Sequence, residues 1–227
     1  MTGPTNKSKE RKHEILKAAQ ELFNTRGFQD TSVNDIMKKV GVAKGVFYYY
    51  FKTKDQVLDT LVSENIMEIA EAMEEIVQKS DIDALQKLKF MLAEEFKASM
   101  KSDSPDNHLH NIKNVDMHQR VMVAMVEILA PIIARVVDQG IKEGIFKTEY
   151  SLEVCEIVIS GIHFITDLGI FQWDREQYLK RVRASEELIE KALGIKQGSF
   201  AFLSDLLKDT PDRINGIKST EVDLDET

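Results

Sequence analysis

Apolar residues recur along this chain at the spacing of a helix almost everywhere. Over residues 8–26, Ile15, Leu16, Ala19, Leu22 and Phe23 fall at i, i+1, i+4, i+7 and i+8, which is one helical face. Gly27 follows directly and is a good helix stop. Thr31 and Ser32 then offer N-cap hydroxyls to a short helix through Val40, with Asp35 in its first turn facing the positive end of the helix dipole. Gly41-Val42-Ala43 is too short for a loop and reads as a tight turn, followed by a third short helix from Lys44 to Phe51. Ile36, Val40, Val42, Phe47 and Phe51 are predicted to face the inside of this small bundle.

Thr53 can cap the next helix, a long one striped with Val57, Leu58, Leu61, Val62, Ile66, Ile69, Met73 and Ile76 and ending near Ser80. Another helix is predicted from Asp81 to Lys101, then a loop at 102–107. The amphipathic stretch 115–143 is interrupted by Pro131, which removes one backbone donor and should bend it; Gly140 and Gly144 weaken its end. Residues 152–171 are apolar on nearly every side and are predicted to be buried on most of them. Residues 174–193 are amphipathic again, and Phe200–Leu207 is a short apolar piece before a polar, acidic, mobile end. The expected fold is all-α: a domain at 9–69 with a helix-turn-helix motif at 32–51, a larger helical domain at 70–196, and a short helix with a flexible acidic tail at 197–227.

Net charge is −8, which argues against a nucleic-acid partner until its distribution is seen. Residues 1–55 carry +5 and the remainder −13, so one end can hold phosphate while the body is repelled by it. The single cysteine, Cys155, excludes an internal disulfide, no apolar run approaches the ~18–20 residues that cross a bilayer, and the first residues lack a secretory core. The expected location is the cytoplasm, at the nucleoid, with no membrane partner.

Three short helices joined by a glycine turn at the basic end meet the geometric requirement of a helix-turn-helix. The residues there follow a longer pattern: Ile15-Leu16, Ala18-Ala19, Leu22-Phe23, Gly27-Phe28, then Thr31-Ser32-Val33 and Ile36, then Gly41-Val42-Ala43-Lys44-Gly45-Val46-Phe47-Tyr48-Tyr49-Tyr50-Phe51 and Lys54. In this His13–Leu58 stretch the chain resembles the DNA-binding domain of the TetR family of bacterial transcriptional regulators, departing only at buried-type positions such as Met37 and Val40. Thr31, Ser32 and Val33 stand where a helix N-terminus can hold a phosphate. Lys44 opens the recognition helix and can reach a guanine edge or a phosphate; Val46 can touch a thymine methyl; Gly45 lets the backbone approach the groove. The resemblance implies backbone contacts for Tyr48 and Tyr50, an operator-dependent role for Tyr49, and a phosphate-binding role for Lys54. Lys7, Lys9, Arg11 and Lys12 form a basic arm that can add contacts.

The resemblance further implies a homodimer built on the last two long helices, double-stranded operator DNA as partner, and release of that DNA when a small apolar ligand binds. Residues 152–171 are open to two readings, dimer helix or central core helix. Candidate pocket residues are Phe90, Met91, Met117, Met122, Met125, His163 and Phe164, because methionine and phenylalanine suit varied apolar molecules. The alternatives are an activator, a regulator controlled by a partner protein, or a metal-dependent enzyme using His108, His110 and His118. No phosphate loop or nucleophile elbow is present, so no catalysis and no cofactor are expected.

Overall fold

The computed structural model describes residues 6–102, 115–167 and 170–208, and every regular element among them is helical. Helix α1 (Asn6–Arg26) ends at Gly27, whose φ of +91° ends it in the left-handed region where glycine is least penalised. Helix α2 (Val33–Val40) begins at a complete capping box: Ser32 Oγ accepts from the Asp35 amide, and the Asp35 carboxylate accepts from the Ser32 amide at 2.9 Å. Gly41 closes α2 at φ +74°, its N–H donating to the Met37 carbonyl, and α3 (Lys44–Tyr50) follows after two residues. Thr53 caps α4 (Lys54–Val77) by accepting from the Gln56 amide. Ile36, Phe47 and Phe51 are buried, with Val40 and Val42 half-buried against them, as the periodicity predicts.

Helix α4 runs through the expected 69/70 domain boundary without interruption, so that boundary falls inside a helix. Its apolar stripe seats Val57 and Leu58 in the N-terminal bundle and Ile66, Met73 and Ile76 in the larger helical body, which makes one continuous core. That body consists of α5 (Ala84–Ser102), α6 (Val115–Ala124), α7 (Ala130–Lys142), α8 (Ser151–Thr166), α9 (Arg175–Ala192) and α10 (Phe202–Lys208). Helix α4 packs on α5, α6 and α7, while α8 packs on α7 and α9. The predicted loop at 102–107 and the tail beyond 208 lie almost wholly outside the described residues.

Three structural details differ from the sequence reading. Pro131 is accommodated by one π-turn over Met125–Leu129 between α6 and α7, in which the Ala130 amide reaches back to Met125. A missing proline donor is absorbed there by a wider turn. Gly140 lies buried in α7 under the Phe146 ring, which occupies the space a Cβ would fill. Helix α8 stops at Thr166 instead of 171, and only Cys155 on it is fully buried. Ile157, Gly161 and Phe164 form an outward stripe on it at i, i+4 and i+7, with Ile157 70% exposed.

Polar groups fix the far end of the body. The Lys87 ammonium, buried, donates to the Val77 carbonyl at 2.8 Å and to Gln139 Oε1 at 2.9 Å, tying α5 to the end of α4 and to α7. The buried carboxylate of Glu190 accepts from the Gly198 and Phe200 amides, and that of Glu186 from the Ser204 amide, so α9 holds the chain that leads into α10. Burying a carboxylate is costly without donors, and backbone amides supply them here.

Candidate nucleic-acid interface

Helix α3 buries Phe47, half-buries Tyr50 and turns its other residues outward. Phe47 lies against Phe51 and Tyr48 with ring centroids 6.1 and 5.5 Å apart, which anchors the short helix from below. Lys44 and Gly45 are exposed, as are Val46 and Tyr48, and Tyr49 is 74% exposed. Gly45 has a negative φ, and a Cβ built on it meets no other described atom within 4 Å. The last turn of α3 is held by Lys52, whose ammonium donates to the Tyr48 carbonyl at 2.7 Å. Lys44 reaches over the Tyr48 ring at 5.9 Å, so its ammonium sits beside that phenol at the start of the helix.

The other predicted interface residues divide by geometry. Ser32 is exposed at the α2 N-terminus and Val33 half-buried beside it. The Ser32 side-chain and backbone bonds to the Asp35 carboxylate hold that carboxyl below its ordinary pKa. Tyr50 is half-buried and its phenol lies 3.2 Å from Ser8 Oγ, joining the first turn of α1 to the end of α3. The basic arm is therefore helical from Asn6 onward, with Lys12 paired to Glu64 on α4 at 3.0 Å.

One expectation needs correction, and a second residue has a partner within the protein. Thr31 is 1% exposed, and its hydroxyl donates to the Gly27 carbonyl at 2.8 Å, so it closes the α1–α2 turn from inside and presents no hydroxyl outward. Lys54 is half-buried; its ammonium donates to the Phe28 carbonyl at 2.6 Å and lies 4.2 Å from the Phe28 ring centroid. That bond ties the start of α4 to the same turn. Both donors bond to carbonyls of the turn that follows α1, those of Gly27 and Phe28.

The candidate pocket residues are not gathered at one place. Met91, Met117 and Met125 are buried in the core; Met122 and His163 are half-buried. Phe90 and Phe164 are corrected: they are 49% and 50% exposed, Phe90 beneath Lys79 and Phe164 on the outer face of α8 against Phe171. One open cleft among the described residues lies between α4 and α6, about 460 Å³, lined by Asp59, Val62, Ser63, Asp116, Arg120, Val123 and Glu127 among others. His118 Nδ1 donates to the Asp167 carboxylate at 2.8 Å, while His108 and His110 lie outside the described residues.

Sequence reasoning missed one cluster. Arg120 on α6 reaches Asp55 at 2.5 Å and Asp59, both on the first two turns of α4, and its guanidinium lies 5.8 Å from the Phe28 ring. Burial works against its charge, but the bonds to Asp59 and Asp55 together raise its pKa above the ordinary value. Its partners are more than sixty residues away in sequence, so no local spacing could reveal them.

Comparison with known proteins places this architecture. Residues 15–61 match the model for bacterial regulatory proteins of the tetR family, and residues 97–188 match the tetracyclin repressor-like C-terminal domain. The Bacillus subtilis fatty acid metabolism regulator protein is 28% identical over 143 residues, 58% of this chain and 71% of that protein. Among solved structures, RolR in complex with resorcinol aligns at a TM-score of 0.60 with 15% identity, over 88% of this chain and 94% of that one. SmeT, the repressor of a Stenotrophomonas maltophilia multidrug efflux pump, aligns at 0.58 with 16% identity, over 83% and 92%. The two matched stretches cover both ends of the continuous core, and with the exposed α3 they identify the chain as a member of the TetR family, a DNA-binding helix-turn-helix transcriptional regulator and not an enzyme.

Proposed function

We propose that the protein is a homodimeric repressor that leaves its operator when a small apolar molecule binds the helical body. The observation that carries this reading is the outer face of α8. Ile157, Gly161 and Phe164 form a stripe there, and on neighbouring α9 Ala184 and the 51%-exposed Leu188 are open as well. A stripe of this kind is self-complementary about a two-fold axis, and a second copy would cover it. Two-fold symmetry in turn supplies the second recognition helix that a seven-residue helix needs to read a long site.

In this reading α3 enters the major groove. Lys44, Val46 and Tyr49 face base edges; Gly45 lets the backbone come close; Tyr48, Ser32 and the amides at Val33 take phosphates. Tyr50 and Lys54 act chiefly by holding α3 and the α1–α2 turn in place. Ligand control is supported by the names of similar proteins, one a fatty acid metabolism regulator, one solved with resorcinol, one the repressor of a drug efflux pump. It is supported also by the buried methionines Met91, Met117 and Met125, whose side chains can repack around a guest.

The test uses a duplex selected by the protein itself from a random-sequence library. Its affinity is measured by fluorescence anisotropy with and without a panel of medium- and long-chain fatty acids, acyl thioesters and small phenols. At least one class should weaken binding about 5–150-fold, the usual range of coupling between two sites. A flat response across the panel, with tight DNA binding throughout, refutes ligand control. Ile157→Glu should turn the dimer to monomer in sedimentation and abolish tight binding; a monomeric wild-type protein refutes the assembly.

A further inference from the structure

The first two turns of α6 grip the helix-turn-helix region at two separate points. Asp116 accepts from Gln29 Nε2 at 2.8 Å, in the α1–α2 turn. One turn later Arg120 holds Asp55 and Asp59 at the start of α4 and lies over the ring of Phe28, the residue before Gln29. Phe28 is itself packed edge-on against Phe23 at 5.2 Å and pinned from α4 by Lys54. Between the two gripping residues, His118 binds Asp167 just after α8. The same short piece of α6 is therefore fastened to the reading head and to the end of the helix that carries the outward apolar stripe.

We propose that Arg120, with Asp116 beside it, is a positioning residue for operator binding: it fixes the angle at which the helix-turn-helix leaves the helical body, so that a dimer presents both recognition helices at the spacing of one operator. The inference rests on the dimeric reading above and adds the residue that enforces its geometry.

The physical reason is a matter of populations. Helix α4 alone joins the head to the body by a continuous backbone, and a head held only there can swing about it. A single half-site tolerates that motion, since one head binds whatever its angle. Two half-sites engage together only when both heads adopt the right angle, so apparent affinity falls by the fraction of molecules that do. The Asp116 bond to Gln29 and the Arg120 contact with the Phe28 ring add two points off the α4 axis, while the ion pairs to Asp55 and Asp59 fix α6 on α4 beside them, and together they remove the swing. Arg120 takes no part in the α3 surface.

The experiment compares two duplexes. One is the inverted repeat selected by the wild-type protein from a random library; the other is that duplex with one arm scrambled. Arg120→Gln and Asp116→Ala are each measured on both, with thermal midpoints recorded. Expected is a loss of about ten-fold on the intact repeat for each variant and no change on the scrambled one. Arg120→Glu combined with Asp59→Arg, which reverses the pair, should restore most of the loss. Asp116→Ala, which removes one partly exposed side chain, keeps the test decisive if the arginine variant fails to fold. Equal losses on both duplexes, or none on the intact repeat, overturn the proposal. If the wild-type protein binds both duplexes equally, the dimeric reading itself is at fault, and that shows before any variant is made.

Discussion

Gly45 is the residue whose presence the chain's own structure explains least, and replacing it separates stability from binding. It is the second residue of α3, its φ is negative, and a Cβ there would meet open space. Glycine in a helix costs roughly 0.5–1 kcal/mol relative to alanine, through the entropy it loses on folding. Nothing inside the molecule offsets that cost, so Gly45→Ala should stabilise the free protein by up to about 1 kcal/mol. For a chain of this length that is a rise in thermal midpoint of about 2–4 °C. Against DNA the sign should reverse. A methyl group between the backbone and the groove floor holds α3 off by more than a hydrogen bond can tolerate, and contacts flanking it at Lys44 and Val46 lengthen together. Losing one or two hydrogen bonds at about 1–1.5 kcal/mol each predicts roughly a 5- to 150-fold loss of affinity for the selected duplex. Calorimetry gives the first quantity and anisotropy the second. If Gly45→Ala raises the midpoint and leaves affinity intact, the N-terminal end of α3 does not approach the duplex.

Other consequences follow from the same geometry. Lys54→Met keeps the aliphatic stem and removes the ammonium bonded to the Phe28 carbonyl; loss of one charged hydrogen bond and a cation–π contact, about 2 kcal/mol together, should lower the midpoint by about 4–8 °C. An unchanged midpoint with a salt dependence shallower by about one ion would return Lys54 to a purely phosphate-binding role. Gly140→Ala places a methyl 2.1 Å from the Phe146 ring, where contact distance is about 3.5–4.0 Å; overpacking of about 1–3 kcal/mol should exceed the helix gain, and pairing it with Phe146→Leu should recover part of the loss in denaturant melts. Burial pushes the Cys155 thiol up to about 12 from 9.0, so a maleimide at pH 8 should label it only after unfolding. Between those two values the unfolded chain carries the thiolate and the folded one does not, so this residue's contribution to stability declines as pH rises through the window.

The N-terminal bundle was legible because its signals are local. Gly27 and Gly41 take the positive φ that chain reversal requires, Ser32 and Thr53 cap the helices they precede, and Phe47 falls on the buried side of α3 by spacing alone. What spacing cannot say is which way a long side chain turns. Lys54 and Thr31 belong to a phosphate-binding pattern, yet their polar atoms bond to the Phe28 and Gly27 carbonyls in the turn after α1. Helix α8 illustrates the second gap. Its apolarity was plain, but apolarity is satisfied equally by the core or by another copy, and Phe164 and Ile157 lie outside the fold of one chain. Pro131 announced an interruption without revealing its form, a single π-turn. The Arg120 cluster had no sequence signal at all, since each of its carboxylates is ordinary on its own helix.

The central claim is that α3 is the element that enters the duplex. Tyr49, an exposed side chain in the middle of it, is the place to ask. A photoreactive phenylalanine analogue installed at position 49, irradiated on the selected duplex, should cross-link to bases within the repeat, with the same analogue at position 90 as a control on the body. The account predicts base adducts from position 49, confined to the two arms of the repeat, and none from position 90. Adducts absent from 49, or equal at both positions, would contradict it.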